Sequence, residues 1–243
     1  MNLIIDIGNT RVKAAVFESD RMKEVLVFDE VDFFDKIDFF LKKYKINNGI
    51  LSTVKNLPSD FLKKLEKRCP ILLLNGQTKV PFINKYATKG TLGVDRVALV
   101  ANASFVFHNR NVLIIDAGTC ITYDFKNKEN EYLGGAISPG IKMRYDSLNN
   151  FTSKLPKLEK TEVNNFTGNS TESSIHSGVI NGVLAEISSF IINYKAENED
   201  LTVVLTGGDT YFLAKQLKSS IFANPNFVLE GLNTILIYNK EEC

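Results

Sequence analysis

Short aliphatic runs and longer amphipathic stretches alternate along the first part of the chain, which is typical of an α/β fold. Continuous or alternating apolar positions predict strands, and apolar positions that recur every three or four residues predict helices. A stripe rich in phenylalanine predicts a helix near residues 33–44. The other predicted elements are strands at residues 3–6, 11–18, 25–28, 49–54 and 71–74, and a helix at residues 58–68 that starts on a proline.

The same alternation begins again beyond a glycine-broken loop around Gly90. A polar stretch at about residues 149–173 interrupts it, and the length of this stretch predicts a functional loop. The pattern predicts helices at residues 94–107 and 174–194, and strands at residues 112–115, 120–125, 132–138 and 201–205.

Both parts of the chain open with a strand, an aspartate–glycine turn and a hairpin. The first turn is Asp6-Ile7-Gly8-Asn9-Thr10, and the second is Asp116-Ala117-Gly118-Thr119. This recurrence indicates an internal structural duplication rather than a repeat of short period. The sequence therefore predicts two lobes, residues 1–110 and 111–243, that meet around a cleft.

Both turns have the chemistry of a phosphate site. A glycine directly after a strand lets backbone N–H groups approach phosphate oxygens, and Asn9 and Thr10 add side-chain donors. The Asp6 carboxylate suits Mg²⁺, and Lys13 would add positive charge. Taken alone, either turn is explained equally well as a tight β-turn with a solvated aspartate. The presence of two such turns, one in each half, favours binding of a polyphosphate from both sides.

A third glycine-rich turn, Leu205-Thr206-Gly207-Gly208-Asp209, follows the last predicted strand. Its two glycines would let the base or ribose of a nucleotide approach the backbone. The alternative is a left-handed residue that simply leads into the next helix.

Asp95 and Arg96 stand together in the first turn of a predicted helix, after Gly93 and Val94. As a functional pair, Asp95 would be a general base, and Arg96 would bind a carboxylate with its planar guanidinium. The alternative is a favourable charge at a helix N-terminus with a surface ion pair.

Composition narrows the class of protein. The net charge is +1, from 29 Lys plus Arg against 28 Asp plus Glu, so charge gives no case for nucleic acid or a membrane surface as a partner. We find no secretion signal, and no apolar stretch that approaches the length of a membrane span. Three cysteines without metal-ligand spacing (Cys69, Cys120, Cys243) fit a reducing compartment. The prediction is a soluble cytoplasmic protein.

Together the three turns resemble the phosphate and adenosine motifs of the superfamily of acetate and sugar kinases, heat-shock chaperone ATPases and actin. More specifically, the whole chain resembles the type III pantothenate kinases. That resemblance lies in residues 6–13 (DIGNTRVK), Tyr86, 93–96 (GVDR), 115–119 (IDAGT), 132–140 and 167–171. It implies an α/β fold of two duplicated ribonuclease H-like lobes with mixed sheets, and ATP in the cleft between them.

The resemblance also implies roles for individual residues. ATP and Mg²⁺ would be the cofactors, with a monovalent cation, K⁺ or NH₄⁺, at Asp116. The enzyme would be a homodimer that phosphorylates pantothenate for coenzyme A synthesis, with Asp95 as catalytic base. ATP would contact Asp6, Ile7, Gly8, Asn9, Thr10, Arg11, Val12, Lys13 and Thr119. Pantothenate would contact Tyr86, Gly93, Val94, Asp95, Arg96 and Thr171.

Two alternatives stay open. One is a kinase of the same fold that acts on another small hydroxylated metabolite. The other is a nucleotide-binding regulator without catalytic activity, which the intact Asp95 and the intact turns disfavour.

Overall fold

The computed structural model describes residues 1–58 and 60–241. In it the strands form two mixed sheets. The chain divides into two units. The first contains residues 1–109, residues 126–133 and the segment from Asn226 onward, and the second contains residues 110–125 and 134–225. The predicted lobe limits, 1–110 and 111–243, rest on the sequence duplication and stay a prediction.

In the first unit the strand order is β3-β2-β1-β4-β5, with β1 antiparallel to β2 and parallel to β4. Apolar side chains of β1 and β2 pack against the phenylalanine stripe of α1, as the three- and four-residue spacing predicted. The elements are β1 (Asn2–Ile7), β2 (Val12–Glu18), β3 (Arg21–Phe28), α1 (Phe33–Lys43), β4 (Asn48–Thr53), α2 (Phe61–Glu66), β5 (Ile71–Leu73), β6 (Ile83–Asn84) and α3 (Val94–Val106).

In the second unit the strand order is β11-β10-β7-β8-β9. The first residues of β9 belong to the first unit, where β6 pairs with them in parallel. The elements are β7 (Val112–Ala117), β8 (Cys120–Lys126), β9 (Glu131–Pro139), α4 (Ile141–Asn150), α5 (Thr171–Glu197), β10 (Thr202–Thr206), α6 (Thr210–Ala214) and β11 (Phe222–Ala223).

The strand order of the first sheet recurs in five of the six strands of the second, in which β6 is added beside β9. In each set of five, the first three strands in chain order lie side by side, and the last two are added next to the first strand. In chain order, β1 to β5 therefore correspond to β7 to β11. This strand-by-strand agreement is what an internal duplication requires.

The C-terminal helix α7 (Phe227–Glu241) belongs to the first unit, where it packs on α3. The two helices approach so closely that a Cβ on Gly231 would collide with the backbone carbonyl of Ala98. Asn102 of α3 donates to the Phe227 carbonyl (3.1 Å) and to Glu230 (2.9 Å). This contact fixes α3, whose first turn carries Asp95.

Helix α5 is long and apolar enough to meet the length and composition criteria for a membrane span, so the expectation of no such stretch is wrong. One face of the helix, which includes Val183 and Ile187, lies in the core of the second unit. A core helix passes the same test. Of the cysteines, Cys69 and Cys120 are free thiols, and Cys243 lies outside the described residues.

Candidate active site

Three polar side chains form a row across the first sheet, at the end of β1. Asp6 lies directly opposite Lys13 of β2 and directly opposite Ser52 of β4. Opposed residues on neighbouring strands project from the same face of a sheet, so all three side chains share one face. The row stands beside the first glycine turn, which is closed by a bond from the Gly8 N–H to the Arg11 carbonyl (3.1 Å).

Asp6 sits in an environment that disfavours its charge. Burial raises the pKa of this carboxyl from 3.8 to about 6, although Lys13 lowers it. The Asp95 carboxylate adds a further increase, and the Ser52 hydroxyl lowers the pKa slightly. An additional positive charge at this position would therefore be strongly favourable.

Asp95 is the second residue of α3, which starts at Val94 with Gly93 as the N-cap residue. Its Oδ1 atom accepts a hydrogen bond from the Arg96 backbone N–H (2.8 Å), so the carboxylate folds over the helix start. A Cβ on Gly93 would collide with that oxygen. Because Asp95 raises the pKa of Asp6, the two carboxylates are near enough to repel each other.

Tyr86 and Arg96 form a stack beside this helix start. The Arg96 guanidinium carbon lies 5.5 Å from the Tyr86 ring centroid. Tyr86 stacks in turn on the buried Tyr132, with 5.9 Å between ring centroids. Arg96 is only 5% exposed, so its orientation is fixed by packing. A cation fixed in this way can bind an anionic group with little loss of side-chain entropy.

A small cavity of about 40 Å³ lies next to this loop. Asn84, whose side chain accepts from the Tyr86 N–H (2.9 Å), is one of its lining residues, and Val94 is another. The cavity does not include Asp6, Asp95 or Tyr86. It therefore lies outside the group formed by these three residues.

In the second unit, Asp116 is the penultimate residue of β7 and lies directly opposite Thr206 of β10. The Thr206 hydroxyl is buried, and its oxygen has no hydrogen-bond partner among the described residues. The turn is tighter than its counterpart, because the Gly118 N–H bonds to the Cys120 carbonyl (2.9 Å). Thr119 is exposed at the tip of this turn.

The third glycine turn packs directly on the second turn. Gly207 has a φ of +95°, and a Cβ there would collide with the Asp116 carboxylate and the Ala117 carbonyl. The Asp209 N–H donates to the same carbonyl (2.9 Å), and Asp209 is the N-cap of α6. Gly207 is thus the left-handed residue leading into a helix that the sequence allowed as an alternative. It also forms one wall of the Asp116 site.

Thr171 is the first residue of α5 and is exposed. The helix begins with a capping box, in which Ser170 accepts from the Ser173 N–H (3.2 Å) and the Ser173 hydroxyl accepts from the Ser170 N–H (2.9 Å). The predicted loop at 149–173 is accordingly shorter, since α4 ends at Asn150 and α5 starts at Thr171.

The structure thus groups the predicted residues by unit. Residues 6–13, Tyr86 and residues 93–96 belong to the first unit, where Asp6 and Asp95 interact. Asp116, Thr119 and Thr171 belong to the second. Sequence reasoning missed Ser52 and assigned no role to Thr206 or Tyr132. Only strand register and ring packing identify these three residues.

Among solved structures, the activator of the 2-hydroxyisocaproyl-CoA dehydratase from Clostridium difficile, with bound ADPNP, aligns with a TM-score of 0.57 at 11% identity. The alignment covers 99% of this chain and 96% of that one. A glucokinase from an Antarctic psychrotroph aligns with a TM-score of 0.51 at 11% identity, over 98% of each chain. At these identities the likeness shows the fold alone, an α/β fold of two ribonuclease H-like lobes with mixed sheets.

The sequence comparisons are more specific. The sequence profile of type III pantothenate kinase matches residues 2–193. A type III pantothenate kinase of Christiangramia forsetii is 51% identical over 243 residues, covering all of both chains. One from Flavobacterium psychrophilum is 44% identical, over 99% of this chain and 100% of the relative. The chain belongs to the type III pantothenate kinase family.

Proposed function

We propose that the protein transfers the γ-phosphoryl group of ATP to the primary hydroxyl of pantothenate, giving 4′-phosphopantothenate and ADP in the first step of coenzyme A synthesis. The observation that carries the proposal is the pairing of Asp95 with Asp6, next to the Arg96–Tyr86 stack. It supplies a candidate base, a candidate metal ligand and a carboxylate-binding cation within one unit of a chain that belongs to this family.

In this mechanism Asp95 accepts the proton of the pantothenate hydroxyl as its oxygen attacks the γ-phosphorus. The bond from phosphorus to the bridging oxygen breaks, and ADP leaves. Arg96 holds the pantothenate carboxylate, and Tyr86 orients the guanidinium. The transition state of phosphoryl transfer is stabilised mainly by positioning and by neutralising charge, and a well-placed base contributes about 10²–10⁴ in rate.

The residues around Asp6 fit Mg²⁺. The carboxylate is desolvated, its pKa is raised to about 6, and a bound cation would relieve both the burial and the repulsion from Asp95. Mg²⁺ there would neutralise phosphate charge. Lys13 and the N–H groups of residues 8–11 would hold the phosphates of ATP, and Thr119 is a further candidate for an ATP contact.

The residues around Asp116 fit a monovalent cation such as K⁺ or NH₄⁺. The Thr206 oxygen is buried without a hydrogen-bond partner among the described residues, and it belongs to the position opposite Asp116. Carboxylate and hydroxyl oxygens are hard ligands, which suit such ions. A cation held there would offset the repulsion between Asp116 and phosphate.

The test is turnover of pantothenate with ATP, Mg²⁺ and K⁺, with the product identified by mass spectrometry. We expect 4′-phosphopantothenate in an amount equal to the ADP released, and none with Asp95→Asn. Turnover of another alcohol in place of pantothenate would assign a different kinase of this fold. Nucleotide binding without turnover of any substrate would favour the regulator.

We further propose a cytoplasmic homodimer in which Thr171 of one subunit completes the pantothenate pocket of the other. Large apolar side chains are exposed around the segment before α5, with Phe151 at 87% and Phe166 at 83%, and Ile192 within the helix is 64% exposed. A second subunit is a candidate to cover these side chains. Co-expression of Asp95→Asn with Thr171→Trp should restore part of the activity. Demonstrated heterodimers without recovery would put Thr171 in its own subunit's site or outside the site.

A further inference from the structure

The run of residues 132–140, one of the motifs that carry the family resemblance, has no role in the proposed mechanism. Its last residue, Gly140, packs on the second glycine turn. The Gly140 N–H donates to the Thr119 carbonyl (3.1 Å), and a Cβ at Gly140 would collide with the carbonyls of Gly118 and Thr119. The position of Gly140 therefore controls the backbone of this turn.

A charged network holds the residues just before Gly140. The Arg144 Nε atom donates to the Pro139 carbonyl (2.8 Å), and its Nη2 atom pairs with Glu186 Oε2 (2.5 Å). The other Glu186 oxygen accepts from the Ser138 hydroxyl (2.5 Å) and from the Tyr123 hydroxyl (2.8 Å). Two consecutive residues of the motif are thus tied to one ion pair.

This network is more constrained than a surface ion pair. The Arg144 and Glu186 side chains are only 22% and 23% exposed. Burial raises the pKa of Glu186, but the hydrogen bonds from Arg144, Ser138 and Tyr123 outweigh it and hold the pKa below its usual range. Tyr123 itself is fully buried and stacks on Phe190, with 3.9 Å between ring centroids. The carboxylate therefore has fixed partners from β8, β9 and α4.

We propose that Arg144 and Glu186 are positioning residues for the second phosphate turn. They act through Ser138, Pro139 and Gly140 to fix the carbonyls of Gly118 and Thr119, and through them the nucleotide contact of Thr119. The proposal rests on the proposed function, because it takes this turn to be a nucleotide site. A bond that merely joined α4 to α5 would affect stability without affecting nucleotide affinity.

The experiment compares Glu186→Gln and Arg144→Lys with a control on the same helix, Lys142→Gln. Lys142 forms an exposed ion pair with Asp146 (2.9 Å) and makes no described contact with the turn. We measure kcat, the KM for ATP and for pantothenate, the melting temperature, and binding of a non-hydrolysable ATP analogue by calorimetry. The calorimetry reports on the nucleotide site whichever alcohol is the substrate.

Glu186→Gln should weaken analogue binding and raise the KM for ATP by about tenfold, since small displacements of positioning groups have effects of this size. The KM for pantothenate should stay within about twofold. Arg144→Lys keeps the charge but cannot bond both Glu186 and Pro139, so its effect should be intermediate. Lys142→Gln should match the wild type.

A lower melting temperature with unchanged analogue affinity in both network variants would overturn the proposal. If either variant fails to fold, Tyr123→Phe and Gly140→Ala replace it. The first removes one hydrogen bond from Glu186, and the second disturbs the turn directly. Unchanged analogue affinity in both would overturn the proposal equally. If the network variants bind the analogue more weakly but the wild type does not phosphorylate pantothenate, only the proposed substrate is refuted.

Discussion

The two aspartate–glycine turns occupy equivalent places in two sheets that share a five-strand order, yet their surroundings differ. In the first unit, Asp6 faces Lys13 across the hairpin and Ser52 on the parallel neighbour strand. In the second, Asp116 faces Thr206 on the parallel neighbour. The first turn is closed from Gly8 to Arg11, whereas the second is closed from Gly118 to Cys120 and packed against Gly140 and Gly207.

We propose that these contrasting surroundings let one duplicated motif serve two purposes. The first turn has its own lysine, exposed residues at its tip and a second carboxylate nearby, Asp95, as phosphoryl transfer to a hydroxyl requires. The second turn packs against Gly140 and Gly207, and the Asp116 carboxylate lies opposite the Thr206 hydroxyl beside it. This arrangement of oxygen atoms is suited to holding a cation. We therefore expect substitutions at equivalent positions in the two units to have different effects.

The largest effect should come from Asp95, which interacts with the first turn. Asp95→Asn keeps the side-chain shape and removes the base, so kcat should fall by about 10²–10⁴. Steady-state kinetics measures the loss, and circular dichroism with thermal melting checks the fold. A folded variant with near-normal kcat would leave Asp95 only a structural role at the helix start.

The next largest effect should be a change in the free energy of unfolding of the ligand-free protein, caused by Asp6→Asn. The pKa of Asp6 is raised from 3.8 to about 6, so the folded state binds the proton more tightly than the unfolded state. The ionised carboxylate therefore destabilises the fold, fully so above the folded pKa, and the penalty disappears as pH falls toward 3.8. At pH 8 the variant should be more stable by about 3 kcal/mol, with the gain shrinking below pH 6.

Denaturant unfolding at several pH values measures this gain, with Ser52→Ala as a control that keeps the carboxylate. The same Asp6→Asn variant should lose affinity for Mg²⁺ and ATP, because it lacks the charge that we expect to hold the metal. A gain in stability that does not depend on pH would contradict desolvation of the ionised Asp6 carboxylate as its cause.

A smaller effect, about tenfold, should distinguish the two aspartates in their response to salts. The wild type should be faster in K⁺ or NH₄⁺ than in Na⁺ at fixed ionic strength, and Asp116→Asn should abolish the preference. The residual activity of Asp6→Asn should still be higher in K⁺ or NH₄⁺ than in Na⁺. Equal wild-type rates in all three salts would refute a cation site at Asp116.

The smallest effects should come from the two strand hydroxyls. Thr206→Val should raise the K⁺ concentration for half-maximal activity by about two- to fivefold and leave the KM for Mg·ATP unchanged, since one neutral ligand oxygen is lost. Ser52→Ala should instead raise the KM for Mg·ATP and leave the K⁺ concentration for half-maximal activity unchanged. K⁺ titrations and Mg·ATP titrations of both variants make the comparison, and identical responses would mean that the turns do not have separate roles.

Features that depend on neighbouring residues could be predicted from the sequence alone: both turns, the helix start at Asp95 and the duplication. The family could be predicted as well, because these short motifs occur together in one order. Local patterns failed where the signal was weak. The local patterns predict neither helix α4 nor helix α7, and they place the capping box at the start of α5 within the loop.

Which distant residues accompany each motif became clear only from the tertiary structure. Ser52 and Thr206 stand beside the aspartates through the register of parallel strands, and no periodicity in the sequence encodes that register. The Tyr132–Tyr86–Arg96 stack and the Arg144–Glu186 pair likewise join elements far apart in the chain. Hydrogen-bond register and side-chain packing are set by the whole sheet and its core, whereas turn and helix-start preferences are set within a few residues.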